Sequence, residues 1–386
     1  MTAGASGFAD RLARAQAGLR DRGAAALLIG IGAELRYLTG YATHPLERLT
    51  MLVLPAAGGA GLIVPRLEAM AAAASPAAEA DLVEVVAWDE TDDPYVLVAG
   101  RLAAAAGESG VDPTARLLVD PGLPALHLLA LQRTLPGRAL GLATEVTRAL
   151  RMVKGTDEIE LLRRAAHAAD RVIGQVAAGR LLGRTEADVS AEVRERLVAE
   201  GHEAASFAIV ASGLNSASPH HAASERVIQA GDPIVLDIGG TFDGYGSDIT
   251  RTLWVTGGDE AAAPTPGFLE VFALVRQAQA AASDAVRPGV ACGELDEIAR
   301  AVIRDGGYGD AFIHRLGHGI GLEAHEEPYL VAGNDEPIEL GYAFSIEPGI
   351  YLDGRFGVRI EDIVICGADG PDVLNLAPHD LLVVDG

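Results

Sequence analysis

Lysine is almost missing from this chain. Lys154 is the only one, so nearly every cation is an arginine, and with 46 glycines and abundant alanine we read the bias as a GC-rich coding background rather than a functional signal. Cysteine is nearly as scarce. Cys292 and Cys366 allow at most one disulfide, which excludes a disulfide scaffold and suits a reducing, cytoplasmic setting. No run of 18 uncharged apolar residues occurs, and the first thirty residues already carry Asp10, Arg11, Arg14, Arg20, Asp21 and Arg22, so neither a membrane span nor a signal peptide is expected. A phosphate-binding loop is also missing: GGAG at 58–61 reads as a turn and fits no nucleotide motif. Positive charge is in the minority, 30 Lys and Arg against 54 Asp and Glu. The formal net charge of −24 disfavours nucleic acid and anionic membranes as partners.

What is present is enough for two domains with cores of their own: 386 residues, 49% of them apolar. In the first part, Phe8, Leu12, Ala15 and Leu19 share one face of a helix over 8–23, and AAALLIGI follows as a buried strand. LRYLTG at 35–40 reads as a short strand or turn near the surface. LTMLVLP and GLIVP flank AAGGA as a hairpin, LVEVVAW and RLLVD read as strands, and 93–106 and 123–132 as helices. This alternation describes an α/β domain over 1–152. Lys154 and Gly155 mark the seam. From Thr156 a long amphipathic helix begins, with His167 as a surface or packing residue, and RTEADVSAEVRERLVAEG forms the next helix. Helices over 268–286 and 292–305 follow, then two strands over 341–366 carrying Glu347 and Glu361, and an apolar strand-like tail. The second domain is placed at 153–386.

The chain is organised around GDPIVLDIGGTFDGYGSDITR at 231–251. PIVLDIG reads as a strand ending at an acid, Gly240 to Gly246 can supply a turn, and SDITRTLWV reads as a second strand. If the strands pair, Asp237 and Asp248 can face one point, and like charges held close in a core need a cation between them or a shared proton. His318 in GHGIG, Glu347 in SIEPGIY and Glu361 in GVRIED could join them. Four carboxylates and one imidazole suit two divalent ions bridged by carboxylates and a water, with manganese, cobalt, zinc or iron favoured over copper. The competing reading is four strand-end acids that each face water.

ASGLNSASPHH, DIGGTFDGYGSDITRT, FIHRLGHGIGLEAHEEP, SIEPGIY and GVRIED, in that order, resemble the successive motifs of the Xaa-Pro peptidases, the family of prolidase and aminopeptidase P. The resemblance is strong over roughly 155–386 and weak over the first third. It implies an α+β fold: a pita-bread metallopeptidase domain preceded by a smaller creatinase-like α/β domain, with a pseudo-twofold of helix–helix–hairpin units, and a homodimer. It implies that Asp237 holds one metal, that Asp248 and Glu361 bridge two, and that His318 and Glu347 hold the second, with manganese the leading expectation. Creatinase, a relative of the same fold that works without metals, lacks this intact set.

The resemblance further implies catalytic roles. Glu347 also handles the proton, His220 contacts the substrate, and His325 stabilises the tetrahedral intermediate. Arg359 could pair with the carboxylates or with substrate. His221, neighbour of His220 on an extended strand, is expected to point elsewhere or to line the entrance. His314 could be a further ligand on a helix, but the glycines around His318 argue against a helix and the resemblance puts it behind the ligands. Tyr245 is expected to orient Asp248 or close the pocket. Gly317, Gly319 and Gly321 are expected to be small because side chains there would collide with the metal pocket. The expected reaction is hydrolysis of the Xaa-Pro bond, in dipeptides or at peptide N-termini. The substrate is then a small peptide with proline in second position. Two alternatives share the fold: an amidohydrolase acting on a small non-peptide amide of the ectoine type, and a methionine aminopeptidase-like enzyme. A metal-free binding module is disfavoured by the full ligand set.

Overall fold

The computed structural model describes residues 5–258 and 262–385. The chain divides into two compact units, Met1–Arg151 and Met152–Gly386.

The first unit is built on a six-stranded sheet. Its spatial order is Val83–Trp88, Ala60–Pro65, Met51–Pro55, Ala24–Ile29, Arg116–Val119 and Leu140–Leu142. Strands Met51–Pro55 and Ala60–Pro65 form the expected antiparallel hairpin. The central strand Ala24–Ile29 is buried at every position, which is why it reads as an unbroken apolar run. Helix Ala5–Asp21 packs Phe8, Leu12, Ala15 and Leu19 inward, as their spacing requires. One expectation fails here. LRYLTG is neither strand nor turn but helix Ala33–Thr39, with Leu35, Tyr37 and Leu38 buried. Leu35 and Leu38 sit one helical turn apart, and Gly40 closes the helix in a left-handed conformation at φ 73°.

In the second unit, helices Thr156–Ala177 and Glu186–Ala199 precede a sheet that is antiparallel except where the tail strand joins it in parallel. In it, strand Pro233–Phe242 lies between Ala204–Ser212 and Ile249–Val255, and Leu382–Val384 of the tail pairs alongside Ile249–Val255. Helices Pro266–Asp284 and Cys292–Asp305 then precede a second sheet. Its order is Glu326–Leu330, Gly317–Gly319, Ala343–Ile346, Asp362–Gly367 and Gly370–Val373. Two helices followed by a sheet thus occur twice. The hairpin turn is tighter than expected: Pro233–Phe242 runs past Gly240, and the reversal falls at Asp243 and Gly244, both at positive φ.

The segment 341–366 holds four strands rather than two, Ala343–Ile346, Gly349–Leu352, Phe356–Arg359 and Asp362–Gly367. Glu347 and Glu361 lie at the breaks between them. The reason is geometric, because a residue within a regular strand points straight to one face, whereas a break lets the chain turn a side chain off that axis.

Of the three glycines near His318, Gly317 and Gly319 answer to backbone rather than to the pocket, and Gly321 to the Glu326 carboxylate, whose Oε1 a Cβ would approach to 2.6 Å. A Cβ at Gly317 would lie 1.9 Å from the Ser345 carbonyl oxygen, and one at Gly319 would lie 2.3 Å from that of Glu327. They allow neighbouring strands to close on the His318 strand. Gly317→Ala is therefore expected to cost on the order of 3 kcal/mol or more, read as a lower urea midpoint. An unchanged midpoint would refute the close approach.

Candidate metal centre

A cavity of about 450 Å³ opens in the second unit, lined among others by His220, Asp237, Asp248, His318, His325, Glu347, Arg359 and Glu361. Each sheet delivers part of this set. Asp237 sits within the central strand of the first sheet, in register with Thr250. Asp248 precedes the next strand. Glu361 is fastened to that strand twice. Its N–H donates to the Thr250 carbonyl at 3.1 Å, and the Thr250 hydroxyl donates to Glu361 Oε2 at 2.7 Å. From the second sheet, the Glu347 N–H donates to the Leu316 carbonyl at 2.9 Å, and Ser345 Oγ donates to Glu347 Oε1 at 3.2 Å.

His318 presents one nitrogen to the acids. Its Nδ1 lies 3.1 Å from the Gly319 carbonyl, to which it donates, leaving Nε2 as the lone-pair nitrogen. That Nε2 is 3.4 Å from Glu347 Oε1 and 3.6 Å from Asp248 Oδ2. Two groupings capable of holding a divalent ion follow: His318, Glu347 and Glu361, and Asp237, Asp248 and Glu361. They share Glu361. A third, Asp248, His318 and His325, brings in a histidine that was not expected among ligands.

The donor set fits metals on a second count. Asp237 Oδ1 and Glu361 Oε1 are buried and have no hydrogen-bond partner, although buried carboxylate oxygens normally find one. Electrostatics agree. Burial pushes the Asp248 and Glu361 carboxyls well above the usual range, and the surrounding acids push them further. Glu347 is pushed up to about 7 by burial, with Arg359 opposing and Asp237 adding to the rise. Burial likewise pulls His318 down to about 3 and His314 to about 4, keeping both neutral. Neutral imidazole is the form that can ligate a metal.

Among the described residues, Arg359 is the one guanidinium inside the acid cluster, and it is fully engaged. It pairs with Asp237 Oδ2 at 2.5 Å, donates to the Tyr351 hydroxyl at 2.7 Å and to Thr250 Oγ1 at 3.1 Å, and reaches the Pro219 carbonyl. Of the two partners expected for it, the carboxylate takes it.

The histidine pair separates. His220 lines the cavity, while His221 turns away and pairs with Glu186 at 2.8 Å. Glu186 also accepts from Ser212, Asn215 and Ser224, so it gathers the loop that carries His220. Tyr245 is corrected outright: its hydroxyl donates to Glu158 at 2.7 Å, it is absent from the cavity lining, and it ties the hairpin to the long helix. His314 reaches the cavity wall, held by the Arg315 carbonyl and the Tyr351 hydroxyl. Sequence reasoning missed Arg315, Phe207 and Ile209 as cavity residues. The two-residue spacing of Phe207 and Ile209 on an expected strand was an available signal. Arg251, also missed, is buried and binds the Glu361 carbonyl, Asp362 and the tail carbonyls of Ala377 and Pro378. It locks the backbone that presents Glu361.

This is the site of a metal-dependent hydrolase, and relatives narrow the class. The family model described as Metallopeptidase family M24 matches residues 160–368, and that of the Creatinase/Prolidase N-terminal domain matches 11–153. A probable dipeptidase PepE of Mycobacterium tuberculosis is 48% identical over 378 residues, covering 98% of this chain and 96% of the relative. The crystal structure of dipeptidase PepE from Mycobacterium ulcerans superposes with a TM-score of 0.90 at 47% identity, covering 98% of both chains. A prolidase structure from Thermococcus sibiricus gives 0.88 at 34% identity, covering 98% of this chain and 99% of that one. The chain belongs to metallopeptidase family M24. It is a metallopeptidase of the Xaa-Pro peptidase family, with the two-domain pita-bread fold and a creatinase-like N-terminal domain. That family uses divalent metal ions. No helix among the described residues is long and apolar enough to cross a membrane.

A pH dependence follows. Without metal, the folded protein holds a proton on Glu347 between pH 4.5 and about 7 that the unfolded chain has released. Stability of the metal-free protein should therefore fall as pH rises through that window, and added divalent ion should remove the fall. Melting curves with chelator and with metal check this. A chelated protein that gains stability across the window would contradict it.

Proposed function

We propose that this enzyme hydrolyses the Xaa-Pro peptide bond of short peptides with two divalent ions, manganese first among them. The carrying observation is the pair of three-residue ligand groups that share Glu361. The names of the relatives, dipeptidase and prolidase, support a peptide substrate. Asp237, Asp248, His318, Glu347 and Glu361 would hold the ions, with Glu361 belonging to both ligand groups. Bound divalent metals lower the pKa of a coordinated water and polarise a carbonyl.

The chain's own residues then have separate tasks. Glu347 takes a proton from the attacking water and passes it to the departing nitrogen. The water oxygen bonds to the carbonyl carbon, the C–N bond breaks, and a carboxylic acid and a secondary amine are released. His220 and His325 donate toward the carbonyl oxygen as it gains charge. Arg359 holds Asp237 in place and Tyr351 holds Arg359. We further propose a cytoplasmic homodimer, which a solution mass of a single 39.9 kDa chain would contradict.

Product analysis by mass spectrometry on Ala-Pro, Leu-Pro, an Xaa-Pro tripeptide, methionyl peptides and ectoine tests the substrate, with metal-stripped and reloaded protein. Metal-dependent cleavage of Xaa-Pro substrates is expected. Cleavage only of methionyl peptides or of ectoine would replace this reading with the corresponding alternative. Asp248→Asn should abolish turnover, whereas His221→Ala, which loses only its contact to Glu186, should keep kcat/KM within roughly tenfold. Equal losses would show the histidine or metal assignment to be wrong.

A further inference from the structure

We propose that the buried ion pair of Lys154 and Glu326 positions His325 at the metal centre. Lys154 is then a positioning residue for the reaction, although its own side chain is closed off from solvent. This deepens the Xaa-Pro peptidase reading and rests on it for the task of His325.

His325 needs such a device. It is an exposed residue at the end of the irregular segment 321–325, and its ring makes no hydrogen bond among the described residues. The ring nevertheless lies 4.0 Å from that of His318, centroid to centroid. The next residue is fixed. Glu326 opens the strand Glu326–Leu330 and is buried. Its carboxylate folds back to the other end of the segment, where a Cβ at Gly321 would lie 2.6 Å from Oε1. The same oxygen accepts from Lys154 Nζ at 2.7 Å, with the two side chains 1% and 6% exposed. One ion pair thus closes the base of the bend that ends in His325.

Lys154 is itself anchored. Its N–H donates to the Gly341 carbonyl at 2.9 Å, and Val153 bridges to Tyr342, next to strand Ala343–Ile346. The clamp therefore runs from the sheet that carries His318 to the bend that carries His325. Composition singles out the same position. Among 30 Lys and Arg residues this is the only lysine. A compact ammonium suits a single carboxylate oxygen under a closed bend better than a planar guanidinium fork does. Separating two charges costs far more inside a protein than at its surface, so the pair resists displacement.

The test replaces the pair as a unit, because Lys154→Met alone leaves the Glu326 carboxylate buried without its ammonium and risks unfolding the chain. Lys154→Met/Glu326→Met is made in wild-type and His325→Ala backgrounds of the manganese-loaded full chain, with Ala-Pro as substrate. Pair replacement should lower kcat by about 10–100-fold with KM kept within about threefold, as expected when a group that touches the substrate is misplaced. In the His325→Ala background the same replacement should change kcat by less than about threefold, because the pair acts through His325. Hydrogen exchange supplies a readout that needs no substrate. Amides of 321–325 should exchange at least about tenfold faster in the pair variant, with strand Ala343–Ile346 unchanged. Equal losses of kcat in both backgrounds would overturn the proposal, as would wild-type kcat in the pair variant or unchanged exchange over 321–325. Should the pair variant not fold, Glu326→Gln, which keeps the shape and removes the charge, takes its place in the same comparison. If Ala-Pro is not cleaved, or if His325→Ala keeps wild-type kcat, the reading of the reaction fails and exchange alone decides. Faster exchange over 321–325 then keeps the clamp on His325, and unchanged exchange removes it.

Discussion

Among the described residues, four carboxylates, Asp237, Asp248, Glu347 and Glu361, share one cavity with a single engaged guanidinium, that of Arg359. Held close and largely out of water, they cannot all be ionised without further positive charge. Two of their oxygens have no hydrogen-bond partner among the described residues, so those dipoles do not compensate them either. Protons relieve this crowding in the metal-free chain, and divalent ions relieve it with a charge that also does chemistry. The rest of the second unit holds this crowding in place.

The two sheets contribute complementary halves. The first supplies Asp237 and Asp248, and the Thr250 beside them reaches across to Glu361. The second supplies His318 and Glu347, with Ser345 touching both: its hydroxyl accepts from the His318 N–H and donates to the Glu347 carboxylate. Arg251 ties the tail to the Glu361 backbone from behind. Removing it would leave Asp362 as a buried carboxylate short of its main partner. His220 stands apart on a loop gathered by Glu186, whose carboxyl is brought down to about 2 because hydrogen bonds from Ser224, Ser212 and His221 outweigh the opposing effect of burial. The cavity-lining histidine thus rests on an anion that stays charged across the working range of pH.

Much of this was legible from spacing and motif order. The apolar run before Asp237 and the helix over 292–305 follow from local periodicity, and His220 and His221 do part, but at a turn closed by the His221 N–H to the Ser218 carbonyl rather than along a strand. The illegible parts have a common cause in long-range geometry. Helix Ala33–Thr39 is too short for its three-residue spacing to outweigh a strand reading. Glu347 and Glu361 appeared to lie on strands because the breaks that aim them are set by pairing with Leu316 and Thr250, far away in the chain. Tyr245 sits beside Asp248 in the motif yet bonds Glu158, 87 residues earlier.

Metal stoichiometry tests the central claim most directly. Chelated protein would be titrated with manganese, and bound metal counted by elemental analysis after desalting, for wild type and Glu361→Gln. The account predicts two ions per wild-type chain and loss of at least one in Glu361→Gln, because both ligand groups use that carboxylate. One ion per wild-type chain, or two retained without Glu361, would contradict a dinuclear centre built on the shared residue.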